Sequence, residues 1–261
     1  MGCDIHCYAE IKENGVWRGI TLEERNSLPD PDWFSYADEE EIKERAKATG
    51  NEGHSRMLST VPYWTERKRM WKEGKVDQWV EETEEEEIVD AKAFEIEVGR
   101  NYSLFSILAD VRNYDDFTPI SQPKGLPQDV TEHIKALSDS YGCDGHSHSY
   151  ISMQEFKDFT KEAKQETKTG IVSVKEFKNY VETGEPQEWC GGISGTNVRM
   201  VSEDEMMEIY KSEVEDHNAY CKISWKKWNL KDIEYFIENT AEPMYKLADP
   251  ENVRIVFWFD N

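Results

Sequence analysis

Residues 253–260 read Val-Arg-Ile-Val-Phe-Trp-Phe-Asp, and they give the strongest indication of the fold. A run so rich in β-branched and aromatic residues is typical of a buried strand. A second strand is predicted at residues 2–11, where apolar and polar side chains alternate. Because strands from the two ends of a chain commonly share one central sheet, we expect Asp4 and His6 to lie near Asp260.

The intervening segments predict a mixture of helices and strands. Glu13-Asn-Gly is a turn signal that would pair residues 2–11 with a short strand at 16–20. Capping boxes, each a Ser followed three residues later by Glu, predict three helix starts, at Ser152, Ser173 and Ser202. Other predicted elements are strands at 93–98 and 218–228, and helices after the loop within 29–48, after Ser103, over about 128–139 and over 230–247.

These elements predict an α+β fold class. The architecture is a mostly antiparallel central sheet that contains both terminal strands, with helices packed against it and a mobile acidic insertion. The acidic insertion is placed at residues 81–90, a block of like charge of the kind that is solvated and loosely ordered. We expect a single domain, residues 1–261, with insertions at about 30–95 and 156–215.

Composition excludes several classes of function. The 261 residues include 54 Asp and Glu against 31 Lys and Arg, which gives a net charge of −23. Because nucleic-acid binding depends on Lys and Arg that neutralise phosphates, we expect neither direct nucleic-acid binding nor attraction to anionic lipid. No apolar run approaches the ~20 residues that span a membrane, and no signal peptide is recognisable. Five Cys, an odd number, indicate reduced thiols in a cytoplasm.

Two motifs hold the residues that we predict to be catalytic and metal-binding: Asp4-x-His6 and Asp144-Gly-His146-Ser-His148. Side chains two apart on a strand lie on one face, about 7 Å apart, close enough to share an ion. A mixed set of carboxylates and imidazoles suits Zn²⁺, Mn²⁺ or Fe²⁺ better than Mg²⁺ or Ca²⁺. If the two motifs meet, five ligands of a divalent metal converge.

The same residues allow a structural interpretation, which stays open. Asp144 and the Gly after it also form a turn signal, and His146 and His148 can hydrogen-bond to neighbouring carbonyl groups. Asp4 and His6 can form an ordinary buried pair.

The cysteines offer two weaker alternatives. A structural zinc bound by Cys3, Cys7, Cys143 and His146 would need the apolar face of the first strand. Cys143 with His146 could also form a nucleophile and base.

Substrate-binding residues are predicted at the two ends of the helix after Ser103. Arg100, Asn101 and Arg112 bracket that helix, and Arg can hold a phosphate or a carboxylate through two hydrogen bonds. Arg112 near the helix C-terminus is equally explained by its interaction with the helix dipole.

Five blocks of the sequence resemble an uncharacterised family from bacteriophage and prophage genomes. They are Met1-Gly-Cys-Asp-Ile-His6, Arg100-Asn-Tyr-x-Leu-Phe-x-x-Leu-Ala-x-Val-Arg112, Pro123-x-Gly-Leu-Pro127, Asp144-Gly-His-Ser-x-Ser-Tyr150 and Val253-Arg-Ile-Val-Phe-Trp-Phe-Asp-Asn261. The resemblance implies a viral origin and a location in the host cytoplasm, but no reaction. Asp4-Ile-His6 is also similar to the opening of PHP and TatD-like metal-dependent hydrolases, although Tyr8 replaces their second His.

These observations lead to two principal hypotheses. The first is a phage-encoded metal-dependent hydrolase that acts on a phosphoryl-containing small molecule such as a nucleotide. The alternative is a non-catalytic counter-defence or host-takeover protein. It would sequester a nucleotide, or its acidic surface would mimic nucleic acid and bind a host protein. A structural or virion accessory protein is a third hypothesis.

Overall fold

The computed structural model describes residues 2–49, 57–80, 85–114, 117–162, 165–212, 216–228 and 230–260, and these form an α+β fold. The chain divides into two compact units. The first unit comprises residues 1–113, 118–159 and 234–261, and the second comprises 114–117 and 160–233. The second unit includes most of the stretch at about 156–215 that the sequence analysis treats as an insertion.

The strands are β1 (Asp4–Glu13), β2 (Val16–Gly19), β3 (Lys75–Val80), β4 (Glu85–Asp90), β5 (His146–Ser152), β6 (Gln165–Ser173), β7 (Arg199–Val201), β8 (Ala219–Trp228) and β9 (Val253–Asp260). The α-helices of two turns or nearly two turns are α1 (Leu22–Ser27), α2 (Glu39–Thr49), α3 (Val61–Glu73), α4 (Tyr102–Ala109), α5 (Glu132–Ser140), α6 (Met153–Lys161), α7 (Val174–Thr183) and α8 (Glu203–Ser212). Within the described ranges, no helix is long and apolar enough to cross a membrane.

The central sheet of the first unit has the strand order β2-β1-β9-β5, and every neighbouring pair is antiparallel. The two terminal strands therefore lie side by side, as the sequence predicts. β9 lies between β1 and β5, and its residues from Val253 to Phe259 are all buried. This position explains why β9 is apolar on both faces.

Helices cover both faces of this sheet. Phe105 of α4, an entirely buried side chain, contacts Phe259 with ring centroids 5.0 Å apart. Ile134 of α5 instead packs with Tyr8 and Trp258. Because Trp258 and Phe259 are consecutive in a strand, their side chains point to opposite faces. We call the side of Trp258 the Trp258 face and the side of Phe259 the Phe259 face.

A buried ion pair lies on the Trp258 face at the end of β1 far from Asp4. Glu10 and Arg254 stand opposite each other in the register, and Arg254 Nε donates to Glu10 Oε2 over 2.7 Å. The second Glu10 oxygen accepts from the backbone N–H of Thr131, and Arg254 also donates to Asp129. Both charges are thus hydrogen-bonded, as burial of an ion pair requires.

Several local predictions are confirmed. β1 and β2 form the predicted hairpin, with Asn14 and Gly15 at positive φ in the turn. Ser152 and Glu155 form both hydrogen bonds of a capping box before α6. β8 occupies the predicted strand at 218–228.

The predicted helix over 230–247 is confirmed over residues 231–244, but it is irregular. Its consecutive turns are of 3₁₀, α, π and α type, at Lys231–Ile233, Glu234–Phe236, Ile237–Ala241 and Glu242–Met244. The side-chain amide of Asn239 donates to the carbonyl of Tyr235, and Pro243 cannot donate a backbone N–H. Both features interrupt the regular ladder of a helix.

The acidic block at 81–90 contains a strand that the sequence analysis did not identify. Residues 85–90 form β4, which pairs antiparallel with β3 and is mostly exposed, so this part of the block is solvated as expected. Residues 81–84 lie outside the described residues. α3, which precedes β3, ends at Gly74 in the left-handed conformation that glycine favours.

The second unit has its own sheet and core. β8 is its middle strand, antiparallel to β6 and parallel to β7. The buried side chains of this core come from β6, α7, α8 and β8 and include Val172, Phe177, Met206, Cys221 and Trp225.

Candidate functional site

The end of the central sheet near Asp260 gathers polar side chains. The register of β1 and β9 places Asp4 opposite Asp260 and His6 opposite Trp258. The backbone N–H of Asp4 also donates to Asp260 Oδ1 over 3.3 Å. The predicted proximity of Asp4 and His6 to Asp260 is therefore confirmed.

His6 contacts two carboxylates and a phenol. Its Nδ1 is 3.0 Å from Glu95 Oε1 and 3.1 Å from the Tyr141 hydroxyl. Its Nε2 is 3.5 Å from Asp260 Oδ2, an ion-pair distance that is long for a hydrogen bond. The imidazole also lies against the rings of Tyr141 and Trp258, with centroids 4.4 and 5.8 Å away.

These neighbours favour the protonated form of His6. Burial acts to lower the pKa of the imidazole, but the hydrogen bonds and charges of Glu95 and Asp260 outweigh it. The net effect raises the pKa of His6 above its ordinary value. His6 is thus placed to carry a positive charge between two carboxylates.

Asp4 is held by Arg100. Arg100 Nε and Nη2 donate to the two oxygens of Asp4 over 2.8 and 2.6 Å. Hydrogen bonding to the guanidinium lowers the pKa of Asp4, so this carboxylate stays ionised. Arg100 and Asp4 are both predicted site residues, but the sequence did not predict that they pair with each other.

The two histidines of the second motif point to opposite faces of the sheet. His146 stacks on Phe259 and His148 stacks on Trp258, with ring centroids 6.1 and 6.0 Å apart. Residues two apart on a regular strand share a face, but Ser147 between them has a left-handed φ of 50°. The register shifts at this point, so a β-bulge turns His146 away from His148.

The five predicted metal ligands are therefore not brought together. His148 lies on the same face as His6 but beyond the ring of Trp258, while Asp144 is exposed in a turn. Within the described ranges, no group of three or more His, Cys, Asp or Glu is arranged to hold a metal ion. The described residues do not fit the predicted five-ligand set, and metal dependence stays a prediction.

The thiols lie apart as well. Cys3 and Cys7 are buried on the Phe259 face of β1, whereas Cys143 is exposed. All five cysteines are free. Burial raises the pKa of the Cys3 thiol, and a hydrogen bond with Arg112 offsets only part of that effect.

The remaining predicted substrate-binding residues have local structural roles. The side chain of Asn101, and not Ser103, caps α4 by accepting from the backbone N–H of Leu104. Arg112 has a left-handed φ of 53° just after the end of α4 and contacts Cys3. Asn101 and Arg100 also line a cavity.

This cavity of about 370 Å³ is the feature that the sequence analysis missed. Four aromatic rings line it, those of Trp33, Tyr36, Trp71 and Tyr235. Its charged lining residues are Arg25, Asp30, Asp32, Glu95, Glu97 and Arg100. Volumes of about 300–1,000 Å³ are usual for small-molecule sites.

Glu95 connects the cavity with the polar end of the sheet. The segment at Glu95 runs beside β1, because it bridges to Tyr8 and the backbone N–H of Ile96 donates to Cys7. Glu95 therefore lies on the same face as His6, which it contacts, and it also lines the cavity. Alternation at 93–98 predicted a strand, and the structure has a single bridge there, at Glu95. The alternation gave no sign of a cavity.

Glu97 is the second cavity carboxyl near His6. Its side chain is accessible from the cavity, but protein surrounds it closely enough that loss of water raises its pKa. The nearby charge of Glu95 raises that pKa further. The backbone N–H of Gly99 donates to the carboxyl over 3.3 Å. The raised pKa favours the protonated form of Glu97 more than in a free glutamate.

Comparison with protein families, with characterised proteins and with solved structures yields no match for this chain. The geometry described above therefore has to carry any assignment of function.

Proposed function

We propose that this protein is a phage-encoded hydrolase of the host cytoplasm that acts on a small molecule bound in the cavity. The observation that carries this proposal is the position of Glu95, which lines the cavity and contacts the imidazole of His6 over 3.0 Å. A carboxylate oriented by a second titratable group beside a cavity is a common arrangement for acid–base catalysis. The phage origin rests on the resemblance of the five sequence blocks alone.

The two cavity carboxyls would act as general acid and general base. Glu97, whose pKa is raised, would protonate the leaving group, and Glu95 would accept a proton from the attacking water. His6 would act as a positioning residue, since the contact of its Nδ1 with Glu95 Oε1 fixes the orientation of that carboxylate. Positioned acid–base groups contribute about 10²–10⁴-fold to a rate.

A test of the proposal compares three variants with the wild type. Glu95→Gln and Glu97→Gln should each lower kcat by about 10²–10⁴-fold on any substrate found in a panel of small esters, amides, glycosides and phosphoesters. Glu132→Gln, an exposed glutamate of α5, should leave kcat unchanged. Wild-type turnover that survives in both cavity variants would contradict the roles given to these carboxyls.

Metal dependence is tested separately. Metal content, measured by plasma mass spectrometry on untagged wild-type protein and on His6→Ala and His146→Ala, would show near-stoichiometric Zn, Mn or Fe lost in both variants if one site used both motifs. Because these histidines lie on opposite faces of the sheet, we expect no such joint loss.

Sequestration without catalysis is a second candidate, and the four aromatic rings of the cavity favour it. Aromatic faces supply binding area for a ring-shaped ligand but no reactive group. Sequestration predicts that a ligand recovered from the protein after prolonged incubation is intact and stoichiometric. Recovery of products would favour the hydrolase.

A further inference from the structure

The charges of the cavity wall indicate what kind of molecule it accepts. Four carboxyl groups line it, against the two guanidinium groups of Arg25 and Arg100. Arg100 is neutralised by Asp4, and the whole chain carries a charge of −23. Two of the carboxylates are paired as well, Asp30 with Lys72 and Glu95 with His6. A phosphoryl group bound here would have to compete with Asp4 for Arg100, in a chain of negative net charge.

Arg25 does not change this conclusion. It is almost fully buried, stacks on Trp71 with 3.3 Å between its guanidinium carbon and the ring centroid, and donates to the carbonyl of Trp71 near the end of α3. Carbonyls at the C-terminus of a helix carry partial negative charge, so they account for this cation. Burial lowers the pKa of Arg25 to about 10, which still leaves it charged at neutral pH.

The aromatic rings and the remaining polar groups suit an uncharged ring with several hydroxyl groups. The lining includes the aromatic residues Trp33, Tyr36, Trp71 and Tyr235, although Arg25 stacks on the ring of Trp71. Aromatic side chains in a cavity favour a ligand that has a flat apolar face. Carboxylates accept hydrogen bonds from hydroxyl groups, and the side-chain amides of Asn101 and Asn239 both donate and accept. A sugar ring presents an apolar face and a hydroxyl rim, which matches this combination.

Glu95 and Glu97 add a reactive pair. They stand two residues apart, line the same cavity and differ in environment, since Glu95 contacts His6 whereas Glu97 accepts from the backbone N–H of Gly99. Most enzymes that hydrolyse glycosidic bonds use two carboxyl groups in different protonation states.

We infer that the cavity binds an uncharged glycoside and that Glu95 and Glu97 cleave its glycosidic bond. This inference rests on the proposed function, and it replaces the phosphoryl substrate with an O-glycoside or a nucleoside. Both substrate classes contain the bond that would be cleaved, between an anomeric carbon and its leaving group.

Hydrolysis of the glycosidic bond consumes water and no other reactant. Glu97 transfers its proton to the glycosidic oxygen, or to the base in a nucleoside, as the bond to the anomeric carbon breaks and the leaving group keeps the electron pair. The water oxygen forms a bond to the anomeric carbon, and Glu95 takes a proton from that water. Exchange with solvent then returns Glu95 to its ionised form and Glu97 to its protonated form.

The experiment uses the full chain with three sets of probes: aryl and alkyl O-glycosides, unphosphorylated nucleosides, and nitrophenyl phosphoesters. We expect turnover in one of the first two sets and at least 100-fold less in the third. Turnover of O-glycosides and turnover of nucleosides each support the inference, and they distinguish the two sources of the bond.

The leaving group separates catalysis from folding defects. Glu97→Gln should lower kcat on an alkyl glycoside by about 10²–10⁴-fold but by less than about 10-fold on a dinitrophenyl glycoside, whose leaving group needs no proton. For nucleoside substrates, an adenine leaving group takes the place of the alkyl group, and a nitropyridine leaving group takes the place of the dinitrophenyl group. Glu95→Gln should lose both activities, and Glu132→Gln should keep both.

Three results would overturn the inference. Turnover of phosphoesters alone would overturn the inference about glycosides but would support the proposed hydrolase. A glycoside that binds and is recovered intact would overturn both the inference and the hydrolase. The absence of binding and of turnover for every glycoside and nucleoside tested would also overturn it.

Discussion

The charge of His6 depends on three side chains that come from distant parts of the chain. Glu95, Asp260 and Tyr141 surround the imidazole, and the two carboxylates raise its pKa although burial opposes them. Protonation of His6 therefore stabilises the folded state. This contribution is fully present below the pKa of the unfolded chain, ~6.5, and is lost as the pH rises through the higher pKa of the folded state.

His6→Gln should consequently destabilise the protein in a pH-dependent way. At about pH 6 we expect a loss of about 1.5–3 kcal/mol in the free energy of unfolding, as for other hydrogen bonds to charged groups. At about pH 8 the difference from the wild type should be smaller. Urea unfolding at a series of pH values measures it, with the exposed His133→Gln as the control. A difference that grows as the pH rises would contradict the raised pKa.

A single backbone conformation limits what could be predicted about the site. The spacing of His146 and His148 predicts that they share a face on any regular strand. The left-handed φ of Ser147 interrupts the alternation of side chains, so they lie on opposite faces. Asp4 and His6 could be predicted because β1 is regular. Glu95 could not, because its contact with His6 joins residues 89 positions apart through a single bridge beside β1.

At the scale of elements, the capping of helices offers a matched comparison. Thr21 caps α1 through a complete capping box, in which its hydroxyl accepts from the backbone N–H of Glu24 and the Glu24 carboxylate accepts in return. Thr131 occupies the same position before α5, but its side chain forms no capping hydrogen bond.

Thr21→Ala should therefore cost about 1 kcal/mol of stability, and Thr131→Ala only a few tenths. Urea unfolding of the two variants side by side measures the difference, which reports the capping bond because both substitutions remove the same atoms. Equal losses would show that the capping hydrogen bond of Thr21 contributes little.

The central strands and their neighbours could be predicted because pattern and environment agree. β9 is apolar on both faces and lies in the middle of its sheet, and β1 alternates and has a polar end. The helix between Lys231 and Met244 could be predicted, but its changes from 3₁₀ to α to π turns could not. Hydrophobic spacing does not reveal competition between a side-chain amide and the backbone.

At the scale of the whole molecule, the charge of −23 acts against folding. Self-repulsion destabilises a compact chain, and salt screens it. Raising NaCl from about 0.01 M to about 0.15 M shortens the screening length from about 30 Å to about 8 Å.

The midpoint of thermal unfolding, Tm, should therefore rise with salt. A gain of about 1 kcal/mol corresponds to roughly 2–4 °C for a chain of this size. Calorimetry at the two salt concentrations measures the change, and a repeat at about pH 5, where part of the carboxylate charge is neutralised, should give a smaller rise. A Tm that falls with salt would mean that the surface ion pairs contribute more than the net repulsion costs.

The middle position of β9 has a consequence for synthesis on the ribosome. β1 emerges first, yet its partner β9 follows roughly 240 residues later. At synthesis rates of about 5–20 residues per second, the nascent β1 waits roughly 10–50 s for the strand that completes its sheet. Residues 160–233 are translated in that interval, so the second unit can fold while the first still exposes an unpaired edge. Newly made chains are thus most exposed to chaperones and proteases in the last moments of translation.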